Sequence, residues 1–408
     1  MGKLAIFGGE PIRNKIYTAY PAWTEEQKSE LCKVVDNRIL SAFYGWKKSH
    51  EFEEAFAAYH EMDYAIAVNS GTAALHCAYA AVGLTAGDEI IMPANAYISA
   101  ATAALMLNAI PVFADIDPNT LTLDPNKLES YITPKTKAII AVHLYGNVTN
   151  MKEVMKIAKK HNLILLEDCA QAYSAKIDGQ RTGTFGDISI FSMCCRKHMN
   201  AGEGGMVMTN NKEWAEAVRR FANKGKGEGW WDYFHIGYSY TMTELQAVFG
   251  ITTLKRLPDE IARRREIAEI YRELFKDTDL EFINEPEGHE YVYFKFPFKI
   301  PKEYAKAAQW FDKAIRAENV MVERSYPYLH SIPWIKNKEY SAWDLVENGR
   351  ERVYRDGDCP TAEDVCTRLF AASSGPGISN GEVKDTAEAI LKVYNYMKNN
   401  WYEVEKCL

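Results

Sequence analysis

A chain of 408 residues exceeds what one ordinary core holds, so two domains are expected. Its formal charge of -7, with acids and bases interspersed, excludes the basic stripe of a nucleic-acid binder. Hydrophobic residues at 47% and charged residues at 25% give the balance of a globular, water-exposed protein. The eight cysteines show neither a metal-ligand spacing nor a disulfide framework, which points to reduced thiols. Met1 to Gly9 lacks the apolar core of a signal peptide, and no run approaches the roughly 18 apolar residues of a membrane span. A cytoplasmic location is therefore expected, and the sequon Asn147-Val148-Thr149 reads as accidental.

An entry arm comes first, with a helix from Thr24 to Val35 whose Thr24 and Gln27 have capping-box spacing. A second helix, from about Ser49 to His60, carries Phe52, Phe56 and Tyr59 at core spacing. From Tyr64 onward, short apolar strands alternate with helices. The strands are expected at residues 65–68, 89–93, 111–115, 138–142 and 163–168, with helices near 73–82, 98–107 and 151–161. Continuous apolar strands separated by amphipathic helices argue for a mostly parallel sheet covered on both faces, an α/β fold. Ligands of such sheets bind beyond the carboxyl ends of the strands. Asn69 to Thr72, Tyr97, Asp168 and Lys197 all fall at or soon after such ends.

Beyond Gly250 the character changes. A long charged helix is expected over residues 254–275, with Arg263-Arg264-Arg265 as a solvated face. A strand over Tyr291 to Phe296 and helices near 304–318 and 382–399 complete a smaller α+β unit. The expected division is 1–255 for the arm and large domain and 256–408 for the small domain.

Four elements carry chemistry. Asn69-Ser70-Gly71-Thr72 places a glycine and two hydroxyls at a helix N-terminus, where free N–H groups and the dipole favour an anion such as phosphate, or where Ser70 acts as a simple N-cap. Asp168 ends an apolar strand, where an unpaired carboxylate is costly, so it needs a cationic partner or a cap role on the next helix. Lys197 stands between the strand residues Asp187 to Phe191 and the turn Gly202-Glu203-Gly204-Gly205. Tyr97 adds an aromatic ring near a strand end. A phosphate cup, an aromatic, a buried acid and an isolated lysine together match what pyridoxal phosphate requires. A nicotinamide oxidoreductase would need Gly-x-Gly-x-x-Gly after the first strand, and the glycine-rich Lys224 to Gly229 follows a helix instead, reading as a loop.

Ser70-Gly71-Thr72-Ala73-Ala74-Leu75, Glu167-Asp168-Cys169-Ala170-Gln171 and Lys197 before Gly202-Glu203-Gly204-Gly205 resemble, in that order, the DegT/DnrJ/EryC1/StrS family of sugar aminotransferases. The resemblance implies a fold-type-I, pyridoxal phosphate-dependent transferase. It makes Lys197 the Schiff-base lysine and Asp168 the partner of the ring nitrogen. Gln171 would bond the ring's phenolic oxygen, Tyr97 would stack on the ring, and Gly71, Thr72 and Ser192 would hold the phosphate. Dehydratase relatives carry histidine at the lysine position; here the lysine is present and His198 is one position late, which favours transamination. Where the family has Gly-x-Asn-x-Arg-Met, this chain reads Gly237-Tyr238-Ser239-Tyr240-Thr241-Met242, so Ser239 stands where an asparagine reaches the partner subunit's phosphate. The expected activity is amination of a keto-sugar or keto-cyclitol with glutamate or glutamine as donor, in a homodimer with shared sites. A nucleotide-linked keto-deoxyhexose is the alternative substrate, and a regulatory homologue without turnover is the alternative role. No metal is expected.

Overall fold

The computed structural model describes residues 3–18, 20, 23–41, 47–227, 229, 231–337 and 352–408. Strands β1 (Tyr64–Val68), β2 (Glu89–Pro93), β3 (Ile110–Ala114), β4 (Thr136–Val142) and β5 (Ile164–Asp168) come first. After a short hairpin, β6 (Lys176–Ile177) and β7 (Gln180–Arg181), follow β8 (Ile188–Ser192) and β9 (Gly205–Thr209). Seven of these strands form one sheet in the order β1-β9-β8-β5-β4-β2-β3. Neighbours from β8 through β3 pair in parallel, while β9 runs antiparallel to both β1 and β8. Their register sets Val142 beside Asp168, Asp168 beside Ile190, and Ser192 beside Gly205. The carboxyl ends of β4, β5 and β8 therefore open on one edge.

Side-chain alternation explains the layers. Ile66, Val68, Ile188, Ile190 and Val207 join the core that contains helix Gly71–Ala81. Their neighbours Ala65, Ala67, Phe191, Met206 and Met208 pack with Phe52 and Phe56 of helix Lys48–His60 and with Leu254 and Leu257. Both faces are covered, as the unbroken apolar strands imply. Thr24 and Gln27 form the expected capping box on helix Glu25–Asp36. Asn147 and Thr149 of the sequon are fully buried. Among the described residues, no helix is long and apolar enough to cross a membrane.

Three expectations are corrected. The long helix runs Glu244–Phe275 rather than from residue 254, because Thr243 and Gln246 make a second capping box upstream. Gly250, where the character seemed to change, lies inside it: a Cβ there would meet the Phe52 ring at 2.5 Å, so the glycine lets the two helices touch. The expected division at 255 thus falls within one continuous helix. Arg264 is the second correction, being 1% exposed, while Arg263 and Arg265 are partly exposed, so the arginine triplet is not uniformly solvated.

The later strands are β10 (Glu281–Phe282), β11 (His289–Glu290), β12 (Lys295–Lys299), β13 (Val322–Arg324) and β14 (Leu369–Ser373). β10, β12, β14 and β13 form a four-stranded antiparallel sheet, and β11 joins β6 and β7. The third correction concerns Tyr291 to Phe294, which are not strand. Tyr293 has φ +45°, and the N–H groups of Val292 and Phe294 donate to Gly146 and Tyr145 instead of a strand partner. This crossing presses Phe294 against the edge where β4 and β5 end. Of the glycine-rich stretch 224–229, Lys224 to Gly227 follow helix Lys212–Ala222, and Glu228 lies outside the described residues.

Candidate active site

At the carboxyl edge of the large sheet a cavity of about 390 Å³ is lined by Gly71, Thr72, Tyr97, Asp168, Gln171, Ser192 and Lys197. Seven of the eight residues expected from the sequence thus meet in one place. Ser239 does not: it is exposed and absent from that lining, and its carbonyl accepts from Asn69 Nδ2 at 3.3 Å.

The cup is fixed by sequence. Ser70, extended at φ -163°, caps helix Gly71–Ala81 by accepting from Ala73 N–H at 3.1 Å. That leaves the first amides of the helix to point outward. A Cβ on residue 71 would lie 2.5 Å from Ser192 Cβ, so the glycine seats the helix start against the end of β8. Thr72 Oγ1 and Ser99 Oγ share a hydrogen bond of 2.7 Å on the cup's other side.

Lys197 rides on a loop tied to itself. Met193 N–H donates to Gly204 at 2.8 Å, Lys197 N–H to Cys194 at 2.9 Å, and Asn200 Nδ2 to Cys195 at 2.8 Å. Gly202, at φ +78°, lets the loop reverse. The amine stands 4.8 Å from the Phe294 ring centroid. Burial pulls its pKa down from 10.5 to about 8, against the attraction of Asp168, and the Lys295 charge pulls it further the same way. A substantial neutral fraction near physiological pH makes it a usable nucleophile and base.

Asp168 is 6% exposed and accepts from Ala170 N–H at 3.0 Å. Burial raises its pKa, opposed by that amide and by the Lys197 charge. Behind it, His143 Nδ1 accepts from Thr149 N–H at 3.2 Å, so Nε2 carries the hydrogen and donates to Glu167 at 3.0 Å. Glu167 also accepts from the N–H groups of Gly183, Phe185 and Gly186 at 2.9, 2.8 and 2.7 Å. Cys169 lies close enough to complete a ligand triad with His143 and Glu167. Both of those partners are, however, engaged in the hydrogen bonds just given, and the group reads as a brace for the strand end that bears Asp168.

Facing the sheet are residues to which the sequence reading gave no role in the site. Tyr326 lines the same cavity as Gln171 and stands edge-on to Tyr97 at 5.6 Å. Gln171 itself accepts from Tyr145 N–H at 2.9 Å. Arg196, Lys295 and Glu323 complete this wall. Arg196 could have been noticed from its place beside Lys197; Glu323 and Lys295 come from the distant four-stranded sheet and left no local signal. His198, by contrast, is buried outside the cavity lining and bonds the Val292 carbonyl at 3.1 Å.

Chemically, the cavity offers an anion cup at a helix start, a buried acid suited to a protonated heterocycle and a depressed lysine suited to a carbonyl. A GDP-perosamine synthase of Escherichia coli O157:H7 is 33% identical over 380 residues, covering 92% of this chain and 97% of that protein. An L-glutamine:2-deoxy-scyllo-inosose aminotransferase of Streptomyces kanamyceticus is 35% identical over 291 residues, 68% of either chain. The crystal structure of an aminotransferase from Psychrobacter cryohalolentis superposes with a TM-score of 0.84 at 27% identity, covering 94% of this chain and 100% of that one. The model of the DegT/DnrJ/EryC1/StrS aminotransferase family matches residues 21–391, and the chain belongs to that family.

Proposed function

We propose that the protein is a pyridoxal phosphate-dependent aminotransferase that converts a keto-sugar or keto-cyclitol to its amine, with glutamate or glutamine as donor. The observation that carries this reading is the meeting of Lys197, Asp168 and the Gly71–Thr72 cup in one cavity. The residues fit the cofactor: Gly71, Thr72 and Ser192 would hold its phosphate, Tyr97 its ring face, Gln171 its phenolic oxygen and Asp168 its ring nitrogen. Once bound, the cofactor supplies an electron sink for a substrate carbanion.

The chain's own contribution is binding, orientation and proton transfer. Lys197 Nζ would hold the cofactor and, as a free amine, would move a proton beside the substrate carbon. Its lowered pKa suits it to both uses. Asp168 would keep the ring nitrogen protonated, and the Glu167–His143 brace holds the strand end that bears it. Retention of all these groups favours turnover over a purely regulatory role.

A second reading of the acceptor has its own support. Beside the cavity lies a chamber of about 320 Å³ lined by Arg196, Arg264 and Lys295, with Glu323 as the facing carboxylate. That excess of cations favours an acceptor with an anionic extension, such as a nucleotide-linked keto-deoxyhexose, over a free cyclitol. We take the protein to be a cytoplasmic homodimer of two-domain subunits, in which Ser239 of each subunit reaches its partner's phosphate cup. Ser239's exposure, away from its own subunit's cavity, supports this.

Mixing the protein with glutamate and then glutamine, followed by a panel of nucleotide-linked ketoses and free keto-cyclitols, tests the whole reading. The cofactor absorbance should shift with a donor and return with one class of ketone. No shift with any amino donor would contradict it.

A further inference from the structure

Glu323 on β13 bridges two cations on the wall opposite the sheet. Its Oε1 accepts from Arg196 Nη1 at 2.6 Å, and its Oε2 is paired with Lys295 Nζ. All three side chains line both the cavity of Lys197 and the adjoining chamber. Their exposures differ: Arg196 is 70% exposed, Glu323 42% and Lys295 14%. An ion pair as exposed as Arg196–Glu323 is worth little and opens at small cost. When it opens, Glu323 keeps Lys295, so no carboxylate is left unpaired. The bridge therefore has two tolerable states, one with the guanidinium masked and one with it free.

The reading of the protein as an aminotransferase, on which this inference rests, demands two such states. One cavity must take an amino acid, whose α-carboxylate lies next to the reacting carbon, and then a polyhydroxy ketone with no charge there. A fixed free guanidinium would retain the first substrate at the expense of the second. We infer that Arg196 and Glu323 form a specificity-determining switch. Open, Arg196 forks onto the donor's α-carboxylate; closed, Glu323 masks Arg196 and offers acceptor oxygens to substrate hydroxyls.

Separate half-reactions of the holoenzyme, followed by cofactor absorbance, test it. Arg196→Gln should raise the donor's half-saturation concentration about ten- to a hundredfold with the saturating donor rate held within about threefold, and should weaken the ketone half-reaction by a clearly smaller factor. Arg196→Lys should recover part of the loss. Glu323→Gln should bind glutarate, an unreactive dicarboxylate, more tightly by calorimetry, and glutarate should then compete with the ketone at concentrations the native protein tolerates. The switch is wrong if Arg196→Gln leaves donor saturation unchanged or weakens both half-reactions equally, or if Glu323→Gln leaves glutarate binding unaltered. A native protein that runs no donor half-reaction yet binds glutarate through Arg196 would overturn the aminotransferase reading while supporting Arg196 as a carboxylate site.

Discussion

The two walls of the cavity are built differently. On the sheet side, Asp168, Gln171 and Ser192 are buried, and Glu167 behind them takes three backbone N–H groups and an imidazole. On the facing side, Tyr97 is half-exposed and Arg196, Glu323 and Lys295 are held by ion pairs from a second sheet. Buried, saturated hydrogen bonds fix geometry, whereas exposed ion pairs exchange partners readily. The difference assigns the bond chemistry, common to any substrate, to the rigid wall and the recognition of particular substrates to the adaptable one.

Substitutions on the rigid wall should therefore have the largest effects. Asp168→Asn should retain cofactor but slow the donor half-reaction roughly 10²- to 10⁴-fold, since a neutral amide cannot hold the ring-nitrogen charge. Stopped-flow absorbance would measure it, and near-native rates would mean that another group protonates the ring. Next comes the brace. Glu167→Ala strands three backbone N–H groups, one buried and two part-buried, and the buried His143 Nε2, and should cost about 3 kcal/mol of stability. A urea midpoint unchanged from the native protein would remove the rigid wall's claimed foundation.

The lysine itself should lower stability in the cofactor-free protein. Its pKa falls from 10.5 to about 8 on folding, so between those values the unfolded chain binds more protons and stability rises with pH. Below about pH 8 the burial penalty is fully present. Lys197→Met should then raise the unfolding free energy of the cofactor-free protein at pH 7, read from urea titrations, by about 1–3 kcal/mol, with the gain fading toward pH 10.5. A pH-independent difference would mean that the amine is solvated. The smallest effect belongs to neither wall. Ser239→Ala should weaken cofactor binding by about 1 kcal/mol, one hydrogen bond lent by a partner subunit. Mixed dimers of Lys197→Ala and Ser239→Glu subunits should recover part of the lost activity, because one site then carries neither lesion. If they stay inactive, each site belongs to one subunit.

The same contrast governs what could be read from the sequence. The rigid wall was legible because its residues sit at strand ends, and continuous apolar runs announce those ends. Ser70-Gly71-Thr72 and Lys197 before Gly202 are local signals of the same kind. Apart from Tyr97, the facing wall was not legible: Glu323 and Lys295 reach the cavity only through the pairing of the second sheet and the turn at Tyr293, whose φ of +45° interrupts an otherwise strand-like run. The start of the long helix was missed for another reason, since Thr243 and Gln246 cap it directly after the Gly237–Met242 motif, well before its charged run begins. Arg264 was grouped with its partly exposed neighbours Arg263 and Arg265 although it is buried; a helix face cannot be assigned from a run of identical residues.

The central claim is that the cavity is a pyridoxal phosphate site built around Lys197. Borohydride reduction of the protein with bound cofactor, followed by peptide mapping, tests it most directly. The account predicts the label on Lys197, in the peptide that contains Cys194-Cys195-Arg196-Lys197, and no label or turnover in Lys197→Ala. A label on Lys295, the other amine of the same cavity, or on Lys224 or Lys226 would contradict it.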